Sequence, residues 1–247
     1  MVEATRGVRA VKITENGKES GWATVSNVVY YDLYVNGERI AELHAMPFAL
    51  RELAVGYLLA NSYVEEPHLI ESVSVKDDRI DVLADSEFEF RYQYFKEKGI
   101  KPIDAVKIEK ITSNYQMAQS KIYEKLALAE ERAVLSKEIP GTCFAFVADY
   151  NGYFFIAEDV YPDSAFYKVI GRAVSQNFDF RRSMVVLSDV LLPEFVVLSA
   201  YLGVPLAGTL RGVPSLSIDI SETISGQTLF YILPESLVVL SNPQRII

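Results

Sequence analysis

The 247-residue sequence holds one cysteine, one tryptophan and two histidines. A single thiol, Cys143, excludes an internal disulfide and fits a reducing cytoplasm, so a cytoplasmic location is expected. The histidines, His44 and His68, have no cysteine pair near them. Zinc is therefore set aside, because deaminase-type zinc chemistry needs three His/Cys ligands and a glutamate in H-x-E and P-C-x-x-C arrangements. No run of 18 or more apolar residues occurs, and the N-terminus carries charges every few positions, so neither a membrane span nor a signal peptide is expected. Positive charge is also scarce, with 24 Lys and Arg against 33 Asp and Glu, a net charge of −9. The Arg181-Arg182 pair and Lys107/Lys110 are too sparse to displace counterions from a phosphate backbone. Nucleic acid is not an expected partner.

What is present is apolar. Half the residues are hydrophobic and 23% are charged, enough for a sizeable core and too apolar for a disordered chain. The length suits one large domain, or one domain with an appendage. The 15 tyrosines are scattered through strand-like segments, which reads as half-exposed strand packing.

Along the chain, the first forty-odd residues read as a β-meander. "VRAVKIT" alternates, "WATVSNVVYYDLYV" is β-branched and aromatic, and "VNGERI" carries an Asn-Gly hairpin signal. Pro47 opens a helix with Leu50, Leu53, Ala54, Tyr57 and Leu58 on one face. Strands follow at "LIESVSV" and "RIDVLA", parted by Asp77-Asp78. Residues 86–112, broken by Gly99 and Pro102, read as an irregular excursion or a small edge element. A long helix is expected over 113–137, with Ser113 and Asn114 as caps.

Beyond it, "TCFAFVADYNGYFFIAE" predicts two strands around an Asn-Gly turn. Helices at 163–177, 192–202 and 214–225 then alternate with strands "MVVLS", "VPLAGTL", "TLFYIL" and "SLVVLS". Such alternation predicts a largely parallel sheet covered on both faces. The expected architecture is a β-rich segment over 1–112, with one helix, packed on a three-layer α/β/α body over 113–247. One continuous domain is the alternative division.

Three stretches resemble the formate dehydrogenase accessory (FdhD/NarQ) family. They are "YVNGERIAELHAMPFALRELAVGYLLANSYVEE" (34–66), "GTCFAFVADYNGYFFIAEDVYPDSAFYKVIGRAV" (141–174), and the closing α/β units over 183–232. The resemblance implies a cytidine-deaminase-like α/β/α fold. It also implies a role in maturing molybdenum or tungsten oxidoreductases, by passing sulfur to a guanine-dinucleotide form of the pterin cofactor. The partner so implied is a molybdo- or tungsto-enzyme client, and a homodimer is implied by the same analogy.

The departures from the family pattern run one way. Its sulfur relay uses two cysteines separated by two residues, and no such loop exists here. "TSNYQMAQ" (112–119) is one register for the lost loop, and a replacement within 86–112 is the other. The histidine of the family's glycine turn falls on Cys143. The Gly-Arg-His-Asn run falls on Tyr161-Pro162-Asp163-Ser164, the Gly-Arg after "MVVLS" on Asp189-Val190, and the aromatic-x-Arg segment on Ile232-Leu233-Pro234. Arginine forks and directed donors give way to carboxylates and apolar groups, which should repel a pyrophosphate.

Glu158 and Asp159 form a candidate acid/base or base-recognition pair. On the alternative reading Asp159 is a helix-entry carboxylate, Glu158 a solvated strand end, and Asp163 or Ser164 the N-cap. Lys168 is either a phosphate ligand or a solvated helix residue paired near Asp163 and Ser164. Cys143, beside Gly141 and Thr142 in the glycine turn, is either an activated thiol able to carry a persulfide or a small buried hydrophobe. Strand ends around 188–193 and 208–215 are where an open sheet holds ligands, which adds Arg211 and Ser215 as anion contacts. The candidate cofactor-binding set is thus Gly141, Thr142, Glu158, Asp159, Lys168, Arg211 and Ser215. The implied cofactor is a guanine-nucleotide-bearing molybdopterin. Three functions follow: a cofactor- or nucleotide-binding accessory protein without the usual cysteines, a non-catalytic scaffold for a protein or small molecule, or a sulfur carrier through Cys143.

Overall fold

A computed structural model describes residues 3–247, and the side chains at 86, 87, 89, 90 and 91 lie outside that description. Strands β1 (Thr5–Thr14) and β2 (Gly17–Ser26) pair antiparallel along their whole length and form a sheet of their own. The expected single meander is therefore divided. Cross-strand partners share a face, so Val11, Ile13 and Trp22 lie on one side and Val8, Ala10 and Ala23 on the other. With apolar groups on both sides, neither face can be committed to a core.

The second sheet takes β3 (Val29–Val35), β4 (Glu38–Ala45), β5 (Ile70–Lys76) and β6 (Arg79–Ala84) in the order β4-β3-β6-β5. Its β3–β4 turn has positive φ at both Asn36 (49°) and Gly37 (85°), the backbone that the Asn-Gly signal favours. Helix α1 (Leu50–Ala60) buries Leu53, Ala54, Tyr57 and Leu58 as expected. It starts three residues after Pro47, behind Ala49 in a left-handed conformation (φ 51°, ψ 38°).

Residues 86–112 are more regular than their sequence suggests, with helices α2 (Ser86–Lys98) and α3 (Pro102–Ala105). Gly99, at φ 65°, ends the first helix, and Pro102 stands at the first position of the second. The two breakers punctuate helices here. The helix expected from residue 113 becomes α4 (Gln119–Arg132), followed by the single turn α5 (Leu135–Glu138). Its N-cap is Ala118, so Ser113 and Asn114 are not caps. The cause is tertiary. Met117 donates its N–H to the Arg245 carbonyl (2.9 Å) and accepts from Ile247 N–H (3.1 Å). The buried Arg245 guanidinium also donates to the carbonyls of Ile111, Ser113 and Gly226. The chain's end thus holds the segment before α4 extended.

The remaining strands are β7 (Cys143–Asp149), β8 (Phe154–Asp159), β9 (Ser183–Leu187), β10 (Leu206–Thr209), β11 (Thr228–Ile232) and β12 (Leu237–Val239). They form one sheet in the order β12-β11-β10-β9-β7-β8. Helices α6 (Pro162–Val174), α7 (Pro193–Tyr201) and α8 (Ser215–Ile220) alternate with them, and α8 runs into a π-helical turn at Ser221–Ser225. Within this sheet only β9, β10 and β11 pair in parallel; β7 is antiparallel to β8 and β9, and β12 to β11. The sheet is mixed, because the short β7–β8 and β11–β12 connections can only reverse the chain. One face packs with α1, α6 and α7 around Phe166, Val169, Val185 and Phe195. Met117, Ile122 and Ala129, at and before α4, cover Phe144, Phe146, Met184 and Phe230 on the other. The body is a three-layer α/β/α fold.

Helices α1 and α6 join the second sheet to this body through two glycines. A Cβ on Gly56 would sit 1.8 Å from the Tyr167 carbonyl oxygen, and one on Gly171 2.0 Å from the Glu52 oxygen. Hence the glycines of "LAVGYLL" and "KVIG" serve the same crossing. We expect Gly56→Ala or Gly171→Ala to lower stability by about 2 kcal/mol or more. Gly21→Ala should change the urea midpoint little, since nothing lies within 4 Å of its Cβ position.

Candidate functional site

The carboxyl ends of β8, β9 and β10 lie at one end of the body sheet, together with the start of β7. There Cys143 pairs with Asp159, and Phe144 with Glu158. Side chains alternate along a strand, so Glu158 and Asp159 point to opposite faces of the sheet. Glu158 faces the α4–α5 side and accepts the Ser136 N–H at 2.7 Å. Asp159 faces α6. The two carboxylates therefore do not form an acid/base pair, and Glu158 is no free strand end.

Asp159 and Lys168 are both fully buried, with Nζ 2.6 Å from Oδ2. Asp159 Oδ1 accepts from Val160 N–H at 2.7 Å and Tyr161 N–H at 3.3 Å. Its two oxygens also accept from Met46 N–H at 3.2 and 3.1 Å. Lys168 returns the contact by donating to the Met46 carbonyl at 3.0 Å, and its Nζ lies 3.9 Å from the centre of the Phe48 ring. Desolvation raises the Asp159 carboxyl and lowers the Lys168 ammonium, and each partner's charge opposes that effect. The helix-entry reading of Asp159 is thus accurate as far as its bonds to 160 and 161. Lys168 is corrected: it is no solvated helix residue, because α6 is buried continuously from Ser164 to Gly171. The N-cap is also corrected to Tyr161, with Pro162 next to it. Asp163 accepts from Ser164 N–H at 2.9 Å, and the Ser164 hydroxyl donates to the His44 carbonyl at 2.6 Å. Three residues along from Met46, the left-handed Ala49 is a strained backbone that the pinned chain on either side holds in place.

Cys143 is 8% exposed and donates its thiol to the Asp159 carbonyl, with Sγ 3.1 Å from the oxygen. Burial first, and then the charges of Asp189 and Asp159, push its pKa up to about 12. The group is a neutral thiol at physiological pH. Gly141 beside it is exposed at φ 88°, and Thr142 carries a buried hydroxyl with no hydrogen-bond partner among the described residues.

Next to this cluster lies a cleft of about 700 Å³, bounded by α3, the start of α6 and the β9–α7 connection. Asp104, Asp163, Asp189 and Glu194 line it, and Lys101 is the one cation among the lining residues. Leu192, Phe195 and Leu198 supply its apolar wall. Desolvation there raises the Asp163 carboxyl, with a smaller rise from the Asp159 charge. Of the expected site residues, Asp159, Lys168 and Cys143 form a buried knot behind the cleft. Gly141, Thr142, Arg211 and Ser215 sit at the same end of the sheet without lining it, while Glu158 is on the opposite face. Arg211 is exposed, its backbone N–H bonded to the Thr209 hydroxyl at 3.0 Å.

Sequence reasoning placed Asp163 and Asp189 in the region but missed Asp104, Glu194 and Tyr167, which also line the cleft. Glu194, just after a predicted strand-to-helix junction, carried a signal. Asp104 sits in a segment whose placement no local pattern revealed. Among the described residues, no group of three or more His, Cys, Asp or Glu converges to hold a metal ion. Nor is any helix among them long and apolar enough to cross a membrane.

Two outcomes follow from the knot. Native Cys143 should resist thiol-labelling reagents at pH 8 and react once the chain is unfolded by urea; rapid labelling of the native protein would contradict its burial. Lys168→Met, which strands a buried carboxylate, should destabilise by about 3–5 kcal/mol. The double variant Asp159→Asn/Lys168→Met should cost less than the two single changes added together, in a urea-unfolding double-mutant cycle.

Comparison with known proteins bears on the family and the fold. The sequence model of the FdhD/NarQ family matches residues 29–247. The sulfur carrier protein FdhD of Methanothermobacter thermautotrophicus is 24% identical, over 90% of this chain and 91% of that one. Its counterpart from Shouchella clausii is 22% identical, over 87% and 86%. A crystal structure of a formate dehydrogenase accessory protein from Desulfotalea psychrophila shares the fold at a TM-score of 0.84 and 21% identity, over 99% of this chain and all of that one. With a family match that takes in the cleft, the buried knot and both contact glycines, the chain belongs to the FdhD/NarQ family.

Proposed function

We propose that this chain is an accessory factor for a formate dehydrogenase-type molybdenum or tungsten oxidoreductase, acting by binding its client without a thiol relay. The accessory role is supported by family membership and by a fold shared end to end with an accessory protein. The observation that carries the binding mode is the chemistry at the carboxyl end of the sheet. Its one thiol is buried and neutral, and the neighbouring cleft presents four carboxylates against one lysine.

These residues do not fit a guanine-dinucleotide cofactor. A pyrophosphate needs cationic forks or directed donors. Lys168 is spent on Asp159 and Met46, and like charges within a Debye length of one another repel. The scaffold reading is thus favoured over nucleotide binding, and over sulfur transfer through Cys143.

The test is genetic and biochemical. In a native-host deletion strain, the Cys143→Ala chain should restore formate oxidation as well as the unaltered chain. Loss of rescue by that variant, with its folding intact, would sink the proposal. Tagged protein from the same host should co-purify with an oxidoreductase subunit. Millimolar guanosine diphosphate should leave the melting temperature unchanged, whereas ligand at a hundred times its dissociation constant would add about 2.7 kcal/mol.

A further inference from the structure

Arg245 is buried, at 4% exposure, and has no carboxylate beside it among the described residues. Its guanidinium has five N–H donors. Nε donates to the Ser113 carbonyl at 3.0 Å, and Nη2 to the Ile111 carbonyl at 2.9 Å. Nη1 donates to the Gly226 carbonyl at 2.7 Å and the Thr228 hydroxyl at 3.3 Å. The second hydrogen on Nη2 finds no partner among the described residues. These bonds explain why a donor-rich side chain sits here, but they leave its charge uncompensated. Burial works against that charge, and a buried cation is costly without a counter-ion.

Arg245 lines a cavity of about 380 Å³ beside Gly226, just before the start of β11. Lys110 is the other charged residue in its wall, and no carboxylate lines it. The two cations meet over Gly226. A Cβ built there would lie 3.0 Å from Lys110 Cγ and 3.3 Å from its Cε, and the Gly226 carbonyl is the one that takes the Arg245 bond. Ile111 N–H, bonded to the Ser225 carbonyl at 2.8 Å, fixes the segment that carries Lys110. Residues 110–113 also border a second cavity, of about 480 Å³, where Lys107 and Arg181 face the single carboxylate of Glu109. Cations too sparse for a nucleic-acid footprint are thus gathered in one place, on a chain of net charge −9.

We propose that this cavity binds a free tetrahedral oxyanion of the phosphate or sulfate type, held by the spare Arg245 N–H and the Lys110 ammonium. Donor geometry selects the ligand. A carboxylate is gripped best by a bidentate guanidinium fork, and Arg245 has one hydrogen left for it. A tetrahedral dianion takes single donors from several directions. Arg245 and Lys110 supply two, and the Thr112 hydroxyl and the side-chain amides of Asn114 and Gln244 stand in the same wall. No aromatic ring lines the cavity, so the base of a nucleotide has nothing to stack on. The inference stands apart from the proposed function. The cavity lies at the amino end of the parallel strands and shares no residue with the acid-lined cleft at their carboxyl ends.

Equilibrium dialysis of the full-length chain against radiolabelled inorganic phosphate and, separately, sulfate tests this, in chloride buffer at fixed ionic strength. Saturable binding of one anion per chain is expected, and the tighter of the two identifies the ligand. Lys110→Glu, at an exposed position, should raise the dissociation constant on the order of tenfold or more, with circular dichroism unchanged. Arg245→Gln should abolish binding. Because that change also removes a charge from the bonds that hold the chain's end, Lys110→Glu serves as the test that does not depend on folding. Failure of the unaltered chain to retain either anion at millimolar concentration overturns the proposal. So does a dissociation constant that Lys110→Glu leaves unmoved.

Discussion

A carboxylate and an ammonium without solvent contact hold three remote parts of this chain together. Asp159 ends a strand, Lys168 sits in the second turn of the following helix, and Met46 directly follows a strand more than a hundred residues earlier. Removing two charges from water is expensive unless their remaining hydrogen-bonding capacity is met. Here it is met by backbone, with N–H groups of 46, 160 and 161 on the acid and the Met46 carbonyl on the base. The two Met46 groups are in place only when the second sheet is seated on the body. The ion pair therefore specifies how the two parts dock as much as it stabilises either.

The docking has a second requirement, which is steric. With Met46 pinned, the chain turns through the left-handed Ala49 and enters α1 at a fixed point. The helix then meets α6 at a distance set by Gly56 and Gly171, too close for any side chain at either position. Electrostatic pin and glycine contact act on the same helix pair from two places. Together they leave little freedom in how α1 lies against the body.

The pin also decides what chemistry remains available. It consumes Lys168, and its acid helps keep Cys143 protonated. The neighbouring cleft is left to carboxylates. Four carboxylates around one lysine give this end of the sheet a negative field, which is unfavourable to an anion.

Much of this was legible in the sequence. Periodicity located α1, α6 and α7, the Asn-Gly turn at 36–37 set the β3–β4 hairpin, and the order of motifs identified the family. Local signals failed where a distant segment intervened. Residues 113–118 carry helix-forming neighbours, yet Arg245 and Ile247 hold them extended. Gly99 and Pro102 looked like breaks in structure and proved to be the boundaries of helices. The mixed direction of the body sheet escaped because parallel and antiparallel strands carry the same apolar runs when both faces are covered.

The sequence by itself determined the three-layer class, the single thiol and the acidity of the whole, because composition and short-range pattern set all of these. Only the tertiary structure decided that Glu158 and Asp159 part to opposite faces, that Lys168 is sealed inside, and that Asp104 joins Asp163 and Glu194 around one cleft. Strand alternation turns adjacent residues apart, and burial is a property of what packs on top. Neither side-chain neighbours nor their solvent can be read from position in the chain until the layers that supply them are in place.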